Sequence, residues 1–215
     1  MQEELIERVI SEGVTMVSRE RFDTILRYKN SISKLKGDIV ECGVWQGGMS
    51  IFLSKLFKEK NIWVCDSFEG CADPGSGKYT FDAESHGKGL YAVSLETVKE
   101  NFTKYGALDE PRVSFLKGFV GDTLKPEVCP IKKISLLRID VDSYSATLET
   151  LDYLYPKVVS GGLVIFDDSC LIEGVTAIQT FADREKSIKF KHTVTGEDID
   201  IAKDTLPCGC YFIKP

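Results

Sequence analysis

Short apolar segments with the composition of buried strands alternate with helical segments along most of the chain. A helix is predicted over ATLETLDYLYPKV (146–158), between two such strands. This alternation predicts a parallel sheet covered by helices on both faces, with right-handed crossovers, which is an α/β fold. The clearest predicted strands are DIVECGV, NIWVCD, RVSFLKG, ISLLRID and GLVIFDD, at 38–44, 61–66, 112–118, 134–140 and 162–168.

The length of 215 residues and a hydrophobic content of 43% suit one domain with a substantial core. Residues 1–36 show helical spacing and are expected to form a helical cover, and residues 37–215 the core. No stretch approaches the roughly 20 apolar residues of a membrane span. The start, MQEELIERVISEG, is acidic and amphipathic rather than basic and then apolar. We therefore expect a cytoplasmic protein with no membrane partner.

The net charge bears on the possible partners of the chain, and the cysteine content bears on whether it contains disulfides. A net charge of −6 without a Lys/Arg-rich block would repel a phosphate backbone, so nucleic acid is not an expected partner. The seven cysteines are odd in number, scattered and mostly within apolar runs. This pattern favours reduced core thiols over a disulfide framework.

Acidic residues stand where predicted strands end. Asp66 closes the second strand, Asp140 and Asp142 follow the fourth, and Asp167 and Asp168 follow the fifth. In open α/β sheets, ligands bind beyond the carboxyl ends of the strands, so these acids should converge at the site. Either they hold a cation, or they are ordinary loop acids.

A glycine-rich turn, VECGVWQGG (40–48), follows the first predicted strand and precedes a helix. Such a turn lets backbone approach a ligand closely, although it does not fit G-x-G-x-x-G because Trp45 stands where a glycine is required. Asp66 lies about 20 residues beyond, where a carboxylate can accept both hydroxyls of a ribose. Glu41 adds an acid suited to a cationic ligand. A methionine-derived sulfonium carrying a ribose would satisfy both acids.

Seven segments in the same order resemble the macrocin O-methyltransferase family. They are TMVSRERF, GDIVECGVWQGGMSIFL, WVCDSFEG, AVSLETVKENF, RVSFLKGF, LLRIDVDSY and LYPKVVSGGLVIFDD. The resemblance implies a class I methyltransferase fold, Rossmann-like, with a seven-stranded, mostly parallel sheet whose last strand is antiparallel. It also implies S-adenosylmethionine and Mg²⁺ as cofactors, and sugars of natural products as acceptors.

The resemblance also carries roles to individual residues. Asp140, Asp167 and Asp168 fall on the metal-binding acids, but Asp142 belongs to the same motif, so the sequence leaves open whether Asp140 or Asp142 reaches the metal. Asp140 is favoured because it sits directly at the strand end. Independently of the resemblance, the chemistry calls for a nearby carboxylate, Asp140 or Asp142, as the general base. Val141 and Ser145 depart from the family's first acidic motif, which commonly has a glycine and a glutamate there. The residues that fall on cofactor-binding positions are Met16, Glu41, Gly43, Ser50, Asp66, Ser67, Phe68, Gly118, Phe119 and Asp140.

The expected reaction is metal-dependent methyl transfer from S-adenosylmethionine to a hydroxyl of a sugar, or of a sugar-bearing natural product or polysaccharide precursor. Three alternatives stay open at this point: a metal-dependent phosphatase, a sugar-nucleotide transferase using D-x-D, and a nucleoside-binding module without transferase activity. The loop at 70–89 is rich in glycine and polar residues, which is typical of a lid or binding loop. The sequence leaves open the acceptor and whether the protein forms a homo-oligomer.

Overall fold

A central sheet of eight strands organises the computed structural model, which describes residues 2–79, 87–109, 111–202, 204 and 208–215. Its spatial order is β3-β2-β1-β4-β5-β8-β6-β7. Strands β1 to β5 are parallel, and β8 lies antiparallel between β5 and β6. The strands are β1 Asp38–Cys42, β2 Ile62–Asp66, β3 Val113–Lys117, β4 Ile134–Ile139, β5 Val158–Phe166, β6 Phe190–His192, β7 Asp198–Ile199 and β8 Cys210–Ile213.

Seven α-helices accompany the sheet in the described residues. Two begin at serines whose side chains accept a backbone N–H three residues on, Ser94 from Thr97 and Ser143 from Ala146. The helices are α1 Gln2–Ser11, α2 Arg19–Lys34, α3 Gly48–Leu56, α4 Leu95–Lys104, α5 Val120–Thr123, α6 Tyr144–Leu154, which a 3₁₀ turn extends through Tyr155–Lys157, and α7 Ile172–Arg184.

The predicted α/β class with an antiparallel last strand is confirmed. The strand count differs, because the two-residue strand β7 pairs with β6 and makes eight strands where seven were expected. The strand predicted to begin at Gly162 begins earlier, at Val158, so Gly161 and Gly162 lie within β5 rather than in a turn before it. There the pairing with β4 skips from Val158 to Leu163, and Gly161 adopts a φ of +79°. The chain thus makes an irregularity inside a strand rather than a turn before it.

Alternate residues of each strand enter two different hydrophobic clusters. Ile39 packs with α1 to α4 on one face of the sheet, whereas Val40 packs with α5 to α7 on the other. Both faces are therefore apolar, which explains the nearly continuous apolar runs in the sequence. The N-terminal helices bury Ile6, Val9 and Phe22 in the first cluster. The boundary expected at residue 36 stays a prediction.

Two of the seven cysteines contradict the expectation of reduced thiols. Cys170 and Cys208 form a disulfide that joins the segment after β5 to the segment before β8. Both residues are exposed, so neither is the core thiol that apolar sequence context indicated. The sequence could not show this pairing because 38 residues separate the two cysteines. Cys42, Cys65, Cys129 and Cys210 are free and buried, as expected.

None of the described helices combines the length and the apolar character that a membrane crossing requires.

The ends of β1 and β4 meet in a backbone contact that only glycine permits. Gly43 has a φ of +81°, and a Cβ at this position would lie 1.7 Å from the carbonyl oxygen of Asp140. The amide of Asp140 also donates to the carbonyl of Cys42 at 2.9 Å. This close approach fixes the position of Asp140 relative to the glycine turn.

Replacing Gly43 by alanine should therefore destabilise the protein more than the same change at Gly75. Gly75 has a similar φ of +74°, but a Cβ at Gly75 would have no heavy atom of the described residues within 4 Å. We expect a loss of about 1 kcal/mol for Gly75→Ala from backbone strain alone, and of about 3 kcal/mol or more for Gly43→Ala. Urea unfolding of both variants measures the difference. Equal losses would show that the contact with Asp140 relaxes at no cost.

Candidate active site

A cleft of about 950 Å³ runs along the carboxyl ends of β1, β2, β4 and β5. Most of the residues that the sequence assigned to a site line it. These are Met16, Gly43, Asp66, Ser67, Phe119, Asp140, Asp142, Asp167 and Asp168. Four of the assigned residues do not line the cleft. Phe68 and Gly118 are chain neighbours of the lining residues Ser67 and Phe119, and Glu41 and Ser50 are buried beneath it. The acids at the strand ends therefore do converge at one place, as the parallel sheet requires.

Asp66 lies at the end of β2, next to the glycine turn. Its Oδ2 accepts the backbone N–H of Val44 at 2.7 Å, and its Oδ1 accepts that of Phe68 at 2.7 Å. Gly118 donates its N–H to the carbonyl of Asp66 at 2.9 Å, which brings the end of β3 alongside. Each carboxylate oxygen keeps a further lone pair. The geometry leaves Asp66 able to accept hydroxyl groups from a ligand in the cleft.

Glu41 and Ser50 lie below the cleft in the protein interior. Both are buried, and the Ser50 hydroxyl donates a hydrogen bond to the Glu41 carboxylate. Arg138 Nη1 lies 2.6 Å from Glu41 Oε1. Burial raises the pKa of Glu41, and Arg138 and Ser50 oppose that rise. Glu41 and Arg138 thus form a buried ion pair.

Three carboxylates form a compact cluster above Arg138. One oxygen from each of Asp140, Asp167 and Asp168 lies within 4.8 Å of the others. Arg138 is buried and contacts two of them, with Nη1 2.8 Å from Asp140 Oδ2 and Nη2 2.7 Å from Asp167 Oδ1. Within the described residues, Asp167 Oδ1 accepts no hydrogen bond of proper direction, so the second contact is an ion pair only. Asp140, rather than Asp142, belongs to this set.

The three carboxylates of the cluster do not ionise equally easily. Burial raises the pKa of Asp140 well above its ordinary value, and although Arg138 opposes this rise, Asp167 and Asp168 add to it. Burial and the neighbouring Asp142 raise the pKa of Asp168 to about 7. Burial acts in the same direction on Asp167, but Arg138 and Arg21 outweigh it and hold its pKa below the ordinary value. Asp167 is thus the member whose charge the protein itself balances.

Asp142 stands beside the cluster in a strained conformation. Its φ is +56°, which costs a non-glycine residue about 1 kcal/mol. Its backbone N–H donates to Asp168 Oδ2 at 3.1 Å, and its side chain lines the cleft. Burial raises its pKa to about 7, and Asp140 and Asp167 add to the effect. Strain of this kind persists where the surrounding structure holds the residue in place, which is typical of functional sites.

The first part of the 70–89 loop crosses the cleft and is held on α6. Lys78 donates its N–H to Glu149 Oε1 at 2.6 Å, and Tyr79 donates its N–H to Ser145 Oγ at 3.1 Å and its hydroxyl to Asp152 Oδ2 at 2.6 Å. Ser145, where the resemblance led us to expect a glutamate, thus accepts a hydrogen bond from this loop. Residues 80–86, including His86, lie outside the described residues.

The lining residues that sequence reasoning missed include these four: Arg21, Trp45, Cys71 and Tyr91. Trp45 and Tyr91 both adopt positive φ angles, of 48° and 61°. Two of the four lie in segments that the sequence did single out, Arg21 in TMVSRERF and Trp45 in the glycine turn. Cys71 and Tyr91 belong to a loop without periodicity, where composition gives no signal for a particular residue.

Comparison with known proteins decides the family. The sequence matches the family described as Macrocin-O-methyltransferase (TylF) over residues 7–198. The chain belongs to this family. It is an O-methyltransferase that uses S-adenosylmethionine as the methyl donor.

Two curated relatives and one solved structure agree with this assignment. Mycinamicin III 3''-O-methyltransferase of Micromonospora griseorubida is 32% identical over 199 residues, covering 87% of this chain and 74% of the relative. 8-demethyl-8-(2,3-dimethoxy-alpha-L-rhamnosyl)-tetracenomycin-C 4'-O-methyltransferase of Streptomyces olivaceus is 35% identical over 180 residues, covering 79% and 68%. The structure of the O-methyltransferase NovP superimposes with a TM-score of 0.78 at 31% identity, covering 93% of this chain and 81% of that one.

If Asp66 accepts the ribose hydroxyls, as the sequence predicts, replacing it by alanine should weaken the binding of S-adenosylhomocysteine by about 1–3 kcal/mol through the loss of charge-assisted hydrogen bonds. The matched control is Asp38→Ala, since Asp38 begins β1 at the opposite end of the sheet and accepts hydrogen bonds from Asn61 and Trp63. Calorimetry measures both affinities. Unchanged affinity in Asp66→Ala would remove this residue from the cofactor site.

Removing Arg138 should destabilise the fold strongly. Arg138→Met leaves the buried Glu41 and Asp167 without their shared cation, for which we expect a loss of about 3–5 kcal/mol. Arg184→Met is the control, because Arg184 is 46% exposed and its pair with Asp152 should contribute less than about 1 kcal/mol. Denaturant unfolding of both variants tests the contrast. A small loss in the free energy of unfolding of Arg138→Met would mean that protonation, rather than the guanidinium, stabilises the buried Glu41 and Asp167.

Proposed function

We propose that this enzyme methylates a hydroxyl of a sugar, carried by a natural product or a polysaccharide precursor, and that a Mg²⁺ ion held by Asp140, Asp167 and Asp168 serves the reaction. The observation that carries the proposal is the convergence of these three carboxylates in the same cleft as Asp66. The relative from Streptomyces olivaceus supports the acceptor class, since it is named for 4'-O-methylation of a compound with a rhamnosyl group.

The residues present fit a divalent cation. All three are hard oxygen donors, which suit Mg²⁺, and the described residues offer no His/Cys set of the kind that zinc prefers. Asp167 Oδ1 is buried and accepts no directed hydrogen bond, although Arg138 Nη2 lies 2.7 Å away, so the hydrogen-bonding capacity of this carboxylate is not fully used within the described residues. Three carboxylates within 4.8 Å also repel one another, and a cation relieves that repulsion.

Methyl transfer to an alcohol needs the hydroxyl proton removed, because a sugar hydroxyl is a very weak acid near neutral pH. When bound, a divalent cation lowers the pKa of a hydroxyl that it coordinates and orients neighbouring hydroxyls. Asp140 belongs to the converging set, which leaves Asp142, lining the cleft beside it, to accept the proton. Asp66 and the turn at Gly43 would hold the methyl donor on the side of β1 and β2.

The alternatives fit the structure less well. A phosphatase with an aspartyl nucleophile places D-x-D after its first strand, whereas Asp140 and Asp142 follow the fourth strand, β4. A sugar-nucleotide transferase would give no role to Asp66 and the glycine turn, which line the same cleft. A nucleoside-binding module would share the pocket, and only turnover separates it from the enzyme.

The proposed metal role predicts a specific pattern for Asp168. Asp168→Ala should lower methyl transfer by at least about 100-fold and remove its dependence on magnesium, while S-adenosylhomocysteine binds nearly as in wild type. Asp168→Asn keeps an oxygen ligand but loses charge, so its activity should fall less and require more magnesium. The measurement is the initial rate of transfer of a labelled methyl group to candidate glycosides against magnesium concentration, with a chelator present in parallel reactions.

Asp122→Ala serves as the control variant. Asp122 also lines the cleft, but it is exposed, pairs with Lys125 and lies outside the cluster. Its magnesium dependence should match that of wild type. Full activity of wild type in chelator, or of Asp168→Ala, would exclude the metal role. Binding of S-adenosylhomocysteine without transfer to any sugar would favour the binding module.

A further inference from the structure

Arg21 reaches the acid cluster from outside the sheet. It lies in the first turn of α2, yet its guanidinium forms an ion pair with Asp167 Oδ2, and its Nη1 also donates to the backbone carbonyl of Asp167 at 3.1 Å. Its side chain is 16% exposed. Gly209 packs beside it, since a Cβ at that position would lie 3.6 Å from Arg21 Nε. The contact therefore joins α2 to the end of β5.

Asp167 has a second guanidinium, and the two arginines are placed differently. Arg138 approaches the other oxygen, Oδ1, from the sheet, and it also binds Glu41 and Asp140. Arg138 lies on β4 within the core, so its contact with Asp167 does not involve α2. Arg21 makes a second, separate contact with Asp167. It contributes a positive charge on the side of the cluster that faces the cleft, and a connection to α2.

The connection concerns a segment that forms a wall of the cleft. Met16, Val17 and Ser18 line the cleft immediately before α2, and Arg21 lines it one turn later. Just before them, the carbonyl of Val14 accepts the N–H of Gly48, the first residue of α3, at 3.0 Å. Segment 14–18 is thus anchored at one end on α3 and, through Arg21, at the other end on Asp167.

We propose that Arg21 is a positioning residue with two effects. It docks segment 14–18, which forms a wall of the cleft, onto Asp167, and its charge lowers the affinity of Asp140, Asp167 and Asp168 for the cation. The inference rests on the proposed metal role of Asp140, Asp167 and Asp168. A positive charge paired to one ligand repels a divalent ion bound to the same carboxylate. Such a residue keeps the ion exchangeable while it ties the wall of the cleft to the place where the ion binds.

Two substitutions separate the two effects. Arg21→Met removes both charge and contact, so Mn²⁺ should bind about tenfold more tightly. Amide hydrogen exchange in residues 14–18 should become faster in the same variant. Arg21→Lys keeps the charge but cannot reproduce the guanidinium's contacts with both the carboxylate and the carbonyl, so Mn²⁺ affinity should stay near that of wild type while exchange in residues 14–18 still rises.

The measurements use the full chain saturated with S-adenosylhomocysteine, with free Mn²⁺ titrated by electron paramagnetic resonance and exchange followed by mass spectrometry. Arg19→Met is the matched control, because Arg19 lies on the same helix but pairs with Glu3 and Asp23. It should change neither quantity. Retained affinity for S-adenosylhomocysteine shows that each variant is folded.

Each other result overturns the inference. Equal or weaker Mn²⁺ binding in Arg21→Met would exclude the charge effect, and unchanged exchange in residues 14–18 would exclude the docking effect. The wild-type titration separates these failures from a failure of the proposed function. If wild type binds no Mn²⁺, the metal role itself is wrong, whereas binding by wild type with no change in Arg21→Met overturns only the role of Arg21.

Discussion

The buried guanidinium of Arg138 is the interaction on which the site depends. It contacts Glu41 on β1, Asp140 after β4 and Asp167 after β5, so one cation joins the ends of three neighbouring strands. Buried carboxylates without a partner cation would be strongly unfavourable. Because Arg138 lies among them, the protein can keep this group of acids in its interior and still leave part of their charge unbalanced.

This uncompensated negative charge suits the cleft to binding a cation and to accepting a proton. Asp167 is stabilised as an anion by two arginines, whereas the pKa values of Asp140, Asp142 and Asp168 are all raised by burial and by one another. Groups in this state gain most from a cation and are also able to accept a proton. The same edge of the sheet carries Asp66 and the glycine turn, so the proposed nucleoside site and the acids share one cleft. Family membership supplies the reaction, and we propose that it takes place in this cleft.

The cleft is lined by elements far apart in the chain. Residues 16–18 of the N-terminal segment line it, and so do loop residues 76–78, which are held by Ser145 and Glu149 on α6. Ser145 accepts the N–H of Tyr79 and so helps to fix this loop on α6. Loops held on a rigid scaffold in this way commonly carry recognition of a substrate.

The sequence by itself determined the α/β class, the five parallel strands and the acids at their ends, because these follow from local periodicity and from one rule about parallel sheets. It also indicated Asp140 as the acid nearest the cluster, since this residue directly follows a strand. Only the tertiary structure decided which charges compensate which. The sequence does not distinguish whether Glu41, Ser50 and Arg138 face a ligand or one another. The structure places them in contact below the cleft. Arg21 and the Cys170–Cys208 disulfide were not predictable for the same reason, since each joins segments with no local pattern in common, and such pairings are set by the packing of the whole chain.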